Sequence, residues 1–170
     1  APAAARELRV ERFDAQITVD NDGSIEATET IRVRFVGSWQ GLYRTIPVEY
    51  RTPQGLNFTL LLDVLAVTDG GGAPLTYELG RDRHYRKLKV FLPDAVDAAR
   101  TIVVRYQVAN ALRFFEDHDE LYWNVTGDQW DVPIEAASAR ITLPPGVTGL
   151  RATPFTGVFG SRAQDADLEV

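Results

Sequence analysis

The sequence predicts an all-β protein: an antiparallel β-sandwich, immunoglobulin-like or jelly-roll-like, of eight or nine strands with little helix. A closed barrel is the alternative. Three observations carry this. Apolar and polar residues alternate with period two in several runs. Clusters of Gly, Asn, Asp and Pro separate those runs. No amphipathic helical period of useful length interrupts them.

The first element is a hairpin. Phe13, Ala15, Ile17 and Val19 form one apolar row, Asn21-Asp22-Gly23-Ser24 supplies a turn, and Ile25, Ala27, Ile31, Val33 and Phe35 form the returning row. Glu29 falls on that inward row; a one-residue bulge would turn it out, or an arginine would pair with it inside. Residues 37–56 read as a long irregular loop over the sheet, with Pro47, Pro53 and Gly55. Residues 57–67 are apolar on both faces, as in a central strand. Short strands follow near 75–79 and 87–92. Pro93-Asp94 breaks the chain, and Ala95 to Ala99 reads as one helical turn. Residues 101–109 and 137–143 alternate again, the latter with Ala139, Ile141 and Leu143 inward, and a last strand is expected within 148–156.

The 170 residues suit one domain spanning 1–170, with residues 1–6 expected to be disordered. Net charge is −6 and the chain has two lysines, Lys87 and Lys89, so it lacks the clustered basic footprint of a nucleic-acid binder. There is no cysteine, which excludes disulfides, thiolate metal sites and a cysteine nucleophile. There is no methionine, and the start Ala1-Pro2-Ala3-Ala4-Ala5 is like the stretch around a signal-peptidase site; a plain cut in a longer chain explains it equally. No apolar run approaches the ~20 residues that span a bilayer. Any membrane contact is expected through segments outside this chain.

The segment Leu112 to Ile134 concentrates the chemistry. Glu116, Asp117, Asp119, Glu120, Asp128 and Asp131 stand among Phe114, Phe115, Tyr122, Trp123 and Trp130, with His118 between them. Carboxylates suit a calcium ion, with Asp117, Asp119 and Glu120 as weak candidate ligands, although the spacing is not that of an EF-hand. A carboxylate pair with flat aromatics also suits a glycan-hydrolysing site. Aromatics ringed by acids suit a recognition surface. The plain structural account places the aromatics in the core and the acids in solvent. A hydrolase requires two or more of Asp117, Asp119, Glu120 and Asp128 in one cleft; an interaction domain requires a shallow surface near Trp39 or Trp123.

The segments ITVDNDGSIEATETIRVRF, GLYRTIPVEY and DELYWNVTGDQWDVPIEAASARITLP resemble a family of predicted bacterial membrane proteins, domain-of-unknown-function family 2207. The resemblance runs from Val10 to Thr153 and implies a signal peptide upstream, an exported β-rich N-terminal domain and membrane helices downstream. It brings no catalytic residues. In its segments Gly41 permits a tight approach, Tyr43 and Ile46 plug the sheet edge, Arg44 is the candidate partner of Glu29, and Trp123 and Trp130 flank the loop that begins at Gly127. The expectation is a non-catalytic binding module of the cell envelope, on the extracytoplasmic face, without a cofactor. Its partner would be a protein or glycan. The candidate binding residues are Trp39, Tyr43, Arg44, Asp117, His118, Asp119, Glu120, Trp123, Asp128 and Trp130. A purely structural stalk is the remaining alternative.

Overall fold

The structure is a computed structural model that describes residues 5–158 and 160–170. The residues beyond Arg6 begin the fold directly; of the six expected to be disordered, 1–4 lie outside the described residues. Twelve strands form, rather than eight or nine, and no helix appears among the described residues. They are β1 (Glu7–Val19), β2 (Ile25–Val36), β3 (Ser38–Pro47), β4 (Glu49–Arg51), β5 (Asn57–Thr59), β6 (Leu61–Asp69), β7 (Tyr77–Asp82), β8 (Tyr85–Val96), β9 (Ala99–Ala109), β10 (Leu112–Phe114), β11 (Asp119–Leu121) and β12 (Ala137–Thr142).

One sheet has the order β12-β1-β2-β9-β6 and a second has β3-β8-β7; β4–β5 and β10–β11 are small hairpins. All pairings are antiparallel except β1 with β12. The inner rows meet in one core, where Phe13, Ile17, Ile31, Val33 and Tyr106 of the larger sheet face Leu42, Ile46, Leu88 and Val90 of the smaller. A bulge between Val10 and Arg12 shifts the parity of β1, so that both Val10 and Phe13 reach the core while Glu11 turns out to Arg32 and Arg34.

Five expectations are corrected. Residues 37–56 are not a loop over the sheet but β3, β4 and their connections. The inward row of β3 is Leu42, Arg44, Ile46, and an arginine at its centre hides the apolar alternation. Residues 57–67 split at Leu60, and β6 is an edge strand on which Leu61 faces outward and a bulge between Val64 and Ala66 leaves Leu65 exposed. Ala95 to Ala99 form no helical turn: β8 runs through to Val96, and Asp94 and Asp97 take left-handed backbone angles of 61° and 46° to turn the chain into β9. Finally, β12 shares its face with Phe13, Ala15 and Ile17, yet all six of its residues are exposed, Ile141 at 47%. It lies beyond the area that the smaller sheet covers. No strand lies within 148–156; Thr156 forms a single bridge to Ala163.

The registers bring the chemistry to one end. The β1–β2 turn, the end of β9 and the start of β6 lie together, because Ile25 pairs Val108 and Leu61 pairs Ala109. Pro47 pairs Tyr85, so β3 delivers the β4–β5 hairpin beside the β7–β8 turn.

Candidate functional site

Two arrangements draw on the residues singled out by sequence. The first is buried. Glu29 stays on the inner row of β2, whose register runs without a shift through it, so no bulge rescues its charge. Arg44 of the facing sheet pairs with it instead, and both side chains are at most 1% exposed. Arg44 Nε donates to Glu29 Oε2 at 2.7 Å and Nη2 donates to Oε1 at 2.7 Å, a bidentate fork. The Tyr106 hydroxyl donates to the same Oε1 at 2.6 Å. The remaining guanidinium hydrogens go to main-chain carbonyls: Thr45 at 2.7 Å, Thr126 at 3.0 Å and Val125 at 3.3 Å. All five Arg44 donors are therefore used.

The Val125 and Thr126 carbonyls come from the loop after β11, which the arginine thereby clamps to β3. A Cβ on Gly127 would sit 2.6 Å from Arg44 Nη1 and 3.1 Å from the Thr45 carbonyl, and its φ is +82°, so glycine is required twice over. The Gly127 N–H donates to Asn124 Oδ1 at 3.0 Å, and the Trp130 indole N–H donates to the Thr126 carbonyl at 2.7 Å. Trp123 stacks on Tyr106 with centroids 6.2 Å apart, and Trp130 meets the Phe13 ring edge-on at 6.4 Å. Burial would lower the Arg44 pKa, but the Glu29 charge and its hydrogen bonds outweigh that and raise it. Burial first, then the Glu29 charge, holds the Tyr106 phenol well above its ordinary range. With every donor satisfied and no solvent contact, this cluster has nothing to offer a substrate. It locks β2, β3, β9 and the 123–130 loop together.

The second arrangement is on the surface, at the end where the loops gather. The β10–β11 hairpin carries Phe114 and Phe115, 67% and 48% exposed, and Tyr122 follows at 52%. Phe115 stacks on His118 at 4.7 Å, and His118 Nδ1 lies 2.7 Å from Asp117 Oδ1. That hydrogen bond lowers the Asp117 pKa. Glu120 pairs with Arg113, while Asp119 stands in solvent. Asp128 is on the clamped loop, where it accepts from the Tyr85 hydroxyl at 3.2 Å. Among the described residues, no group of three or more His, Asp or Glu side chains could hold a metal ion, so Asp117, Asp119 and Glu120 do not converge.

A cleft of about 380 Å³ runs along this hairpin, lined by Thr52, Pro53, Phe58, Leu112, Phe114 and Phe115 among others. A smaller one of about 190 Å³ lies between Tyr50, Arg51, Asn57, Glu49 and His84. Glu49 there takes His84 at 2.7 Å and Arg81 at 3.0 Å. Burial, and then the neighbouring Tyr122, push the Tyr50 phenol up. None of the carboxylates between 116 and 131 lines either cleft. Trp39 is at the opposite end, its indole donating to the Val36 carbonyl at 2.8 Å under the Arg6 guanidinium. Tyr43 lies on the outer face of β3, an edge strand of the smaller sheet, beneath Lys87, whereas Ile46 of the same strand is fully buried. Gly41 does permit a tight approach: a Cβ there would lie 1.8 Å from the Val90 carbonyl. The aromatic cleft and the Glu49–His84 pair escape sequence reasoning, because Phe58 and Phe114, like Glu49 and His84, meet only through the fold.

Among solved structures, the chain is similar to leukotriene A4 hydrolase from Saccharomyces cerevisiae, at 14% identity and a TM-score of 0.43 over 59% of this chain and 15% of that one. It is also similar to a two-domain M1 zinc metallopeptidase bound to L-arginine, at 15% identity and a TM-score of 0.48 over 88% of this chain and 36% of the other. Likeness at this level says nothing about activity. The uncharacterized protein YciQ of Escherichia coli (strain K12) is 28% identical over 161 residues, which are 91% of this chain and 24% of that protein. The family described as the N-terminal domain of a predicted membrane protein, DUF2207, matches residues 9–170, and the chain belongs to that family.

Proposed function

We propose that this chain is a non-catalytic interaction domain, held on the extracytoplasmic face by the membrane part of its protein, and that the aromatic cleft is its contact surface. The observation that carries the reading is the exposure of Phe114 and Phe115 together on the β10–β11 hairpin at the loop end of the sandwich. Contiguous exposed apolar surface marks interaction sites, and aromatics are enriched among their energetic anchors. The buried ionisable cluster, whose donors are all bonded, offers no reactive group to compete with this reading.

A photoreactive amino acid in place of Phe115 in the whole membrane protein tests it. A discrete crosslinked product is expected, lost when Phe114→Ala is added. Uniform, variant-insensitive labelling would count against a contact surface. Sidedness is tested separately. This chain has no cysteine, so Asp119→Cys supplies a single thiol within it. Labelling by a membrane-impermeant maleimide in intact cells is expected; labelling of that thiol only after lysis would place the domain on the other side.

A further inference from the structure

We infer that the aromatic cleft takes a cationic, partly apolar peptide segment, an inference that rests on the interaction reading and names the chemistry of the partner. The cleft is lined by Pro53, Phe58, Leu112, Phe114 and Phe115 with polar neighbours between them, and the turns that adjoin its two phenylalanines are acidic. Its rings are fixed before any ligand arrives. Phe114 rests against the β1–β2 turn, with its ring 3.1 Å from where a Cβ on Gly23 would lie, and Phe115 is held by its stack on His118. Fixed rings spare a ligand the cost of ordering them.

The turn that Phe114 touches at Gly23 carries Asp20 and Asp22, both exposed, although neither lines the cleft. Beyond Phe115, the hairpin turn contributes Glu116, Asp117 and Asp119, also exposed. Among the ion pairs of the described residues, none of these five meets an arginine or lysine; Asp117 alone has a partner, His118. The one arginine lining the cleft, Arg113, is paired with Glu120. Hydrogen bonds from Ser24 and from His118 lower the pKa of Asp22 and Asp117, so both are charged at neutral pH. Lysine and arginine gain from the face of an exposed aromatic ring as well as from carboxylates, as Arg113 does over Phe115 at 5.9 Å, and Phe114 presents a ring without such a partner among the described residues. Two acidic groups flank the rings, one on each turn. A ligand that meets both carries cations separated by an apolar stretch, which a peptide segment supplies and a single small cation does not.

Calorimetric titration of the 170-residue chain with three capped hexapeptides tests this. One alternates Lys with Leu, one Glu with Leu, and one Ser with Leu. Saturable binding of the Lys peptide alone is expected, weakening severalfold between low and physiological salt as surface charges are screened. The double variant Phe114→Ala/Phe115→Ala should weaken it by about tenfold or more, the loss typical of interface anchors. Both side chains are exposed, so the fold should survive, as circular dichroism would verify. Asp119→Lys with Glu116→Lys should shift preference toward the Glu peptide. No binding of the Lys peptide, equal binding of the Glu peptide, or indifference to the double variant would overturn the inference. If the Ser or Glu peptide binds instead and is lost with the phenylalanines, the cationic partner falls while the interaction domain stands. The crosslinking experiment above judges that reading independently.

Discussion

Replacing Arg44 by methionine keeps an unbranched side chain of similar reach but removes all five donors. Glu29 is then left at 0% exposure with the Tyr106 hydroxyl as its remaining partner, and the carbonyls of Thr45 and Val125 lose the guanidinium. Breaking a buried ion pair from one side typically costs about 3–5 kcal/mol. The Thr126 carbonyl keeps its bond from Trp130, so part of the loop anchorage persists. The expected loss is therefore about 4 kcal/mol, a large share of the ~5–15 kcal/mol that stabilises an ordinary domain. Urea unfolding followed by tryptophan fluorescence measures it, since Trp123 and Trp130 both pack on the cluster. Glu29→Leu removes the stranded charge. The double variant Glu29→Leu/Arg44→Met should be more stable than Arg44→Met alone, with a coupling energy of about 2 kcal/mol. Additive losses, or an Arg44→Met cost below about 1 kcal/mol, the range of exposed pairs, would refute the argument.

Other consequences follow from the same geometry. Gly127→Ala should cost about 2–3 kcal/mol, because it combines the left-handed backbone with contact on Arg44. Gly55→Ala has a similar φ of +80° but open space around it and should cost about 1 kcal/mol; equal shifts in Tm would remove the steric argument. Three of the six tyrosines, Tyr50, Tyr85 and Tyr106, have raised pKa values through burial first and neighbouring acidic groups second. The unfolded chain releases these phenolic protons near pH ~10 while the folded chain retains them. Stability is thus full below that pH and falls as pH rises above it. Ultraviolet titration should show the Tyr50 and Tyr106 phenolate signal appearing only with unfolding, and Tyr106→Phe should flatten the alkaline fall. A single smooth titration of all six in the folded state would contradict the burial.

Much of the fold is legible in the chain because alternation is a local signal. The hairpin of β1 and β2 is written in residues 13–35, and β9 in 101–109, since each face of a half-buried strand declares itself every second residue. β3 is illegible for the same reason: its central inward position is Arg44, and only a partner 15 residues away in sequence makes that charge tolerable. Among the candidate site residues, Glu29 and Arg44 could be matched by type and sign alone. The aromatics could not be sorted that way. Trp123 and Trp130 pack on Tyr106 and Phe13, whereas Phe114 and Phe115 stay in solvent, although all four are equally apolar on paper.

The sequence by itself therefore determined the all-β class, the main hairpin and an inward glutamate in need of a cation. Periodicity, turn chemistry and the cost of burying charge all act within or near the strand that shows them. The tertiary structure decided which aromatics are core, which line the cleft, and that β6 and β12 are edges. Those outcomes depend on how far the smaller sheet extends over the larger one and on where the Arg44 clamp pins the 123–130 loop. No stretch of sequence contains that information, because it belongs to the contacts between strands that are distant along the chain.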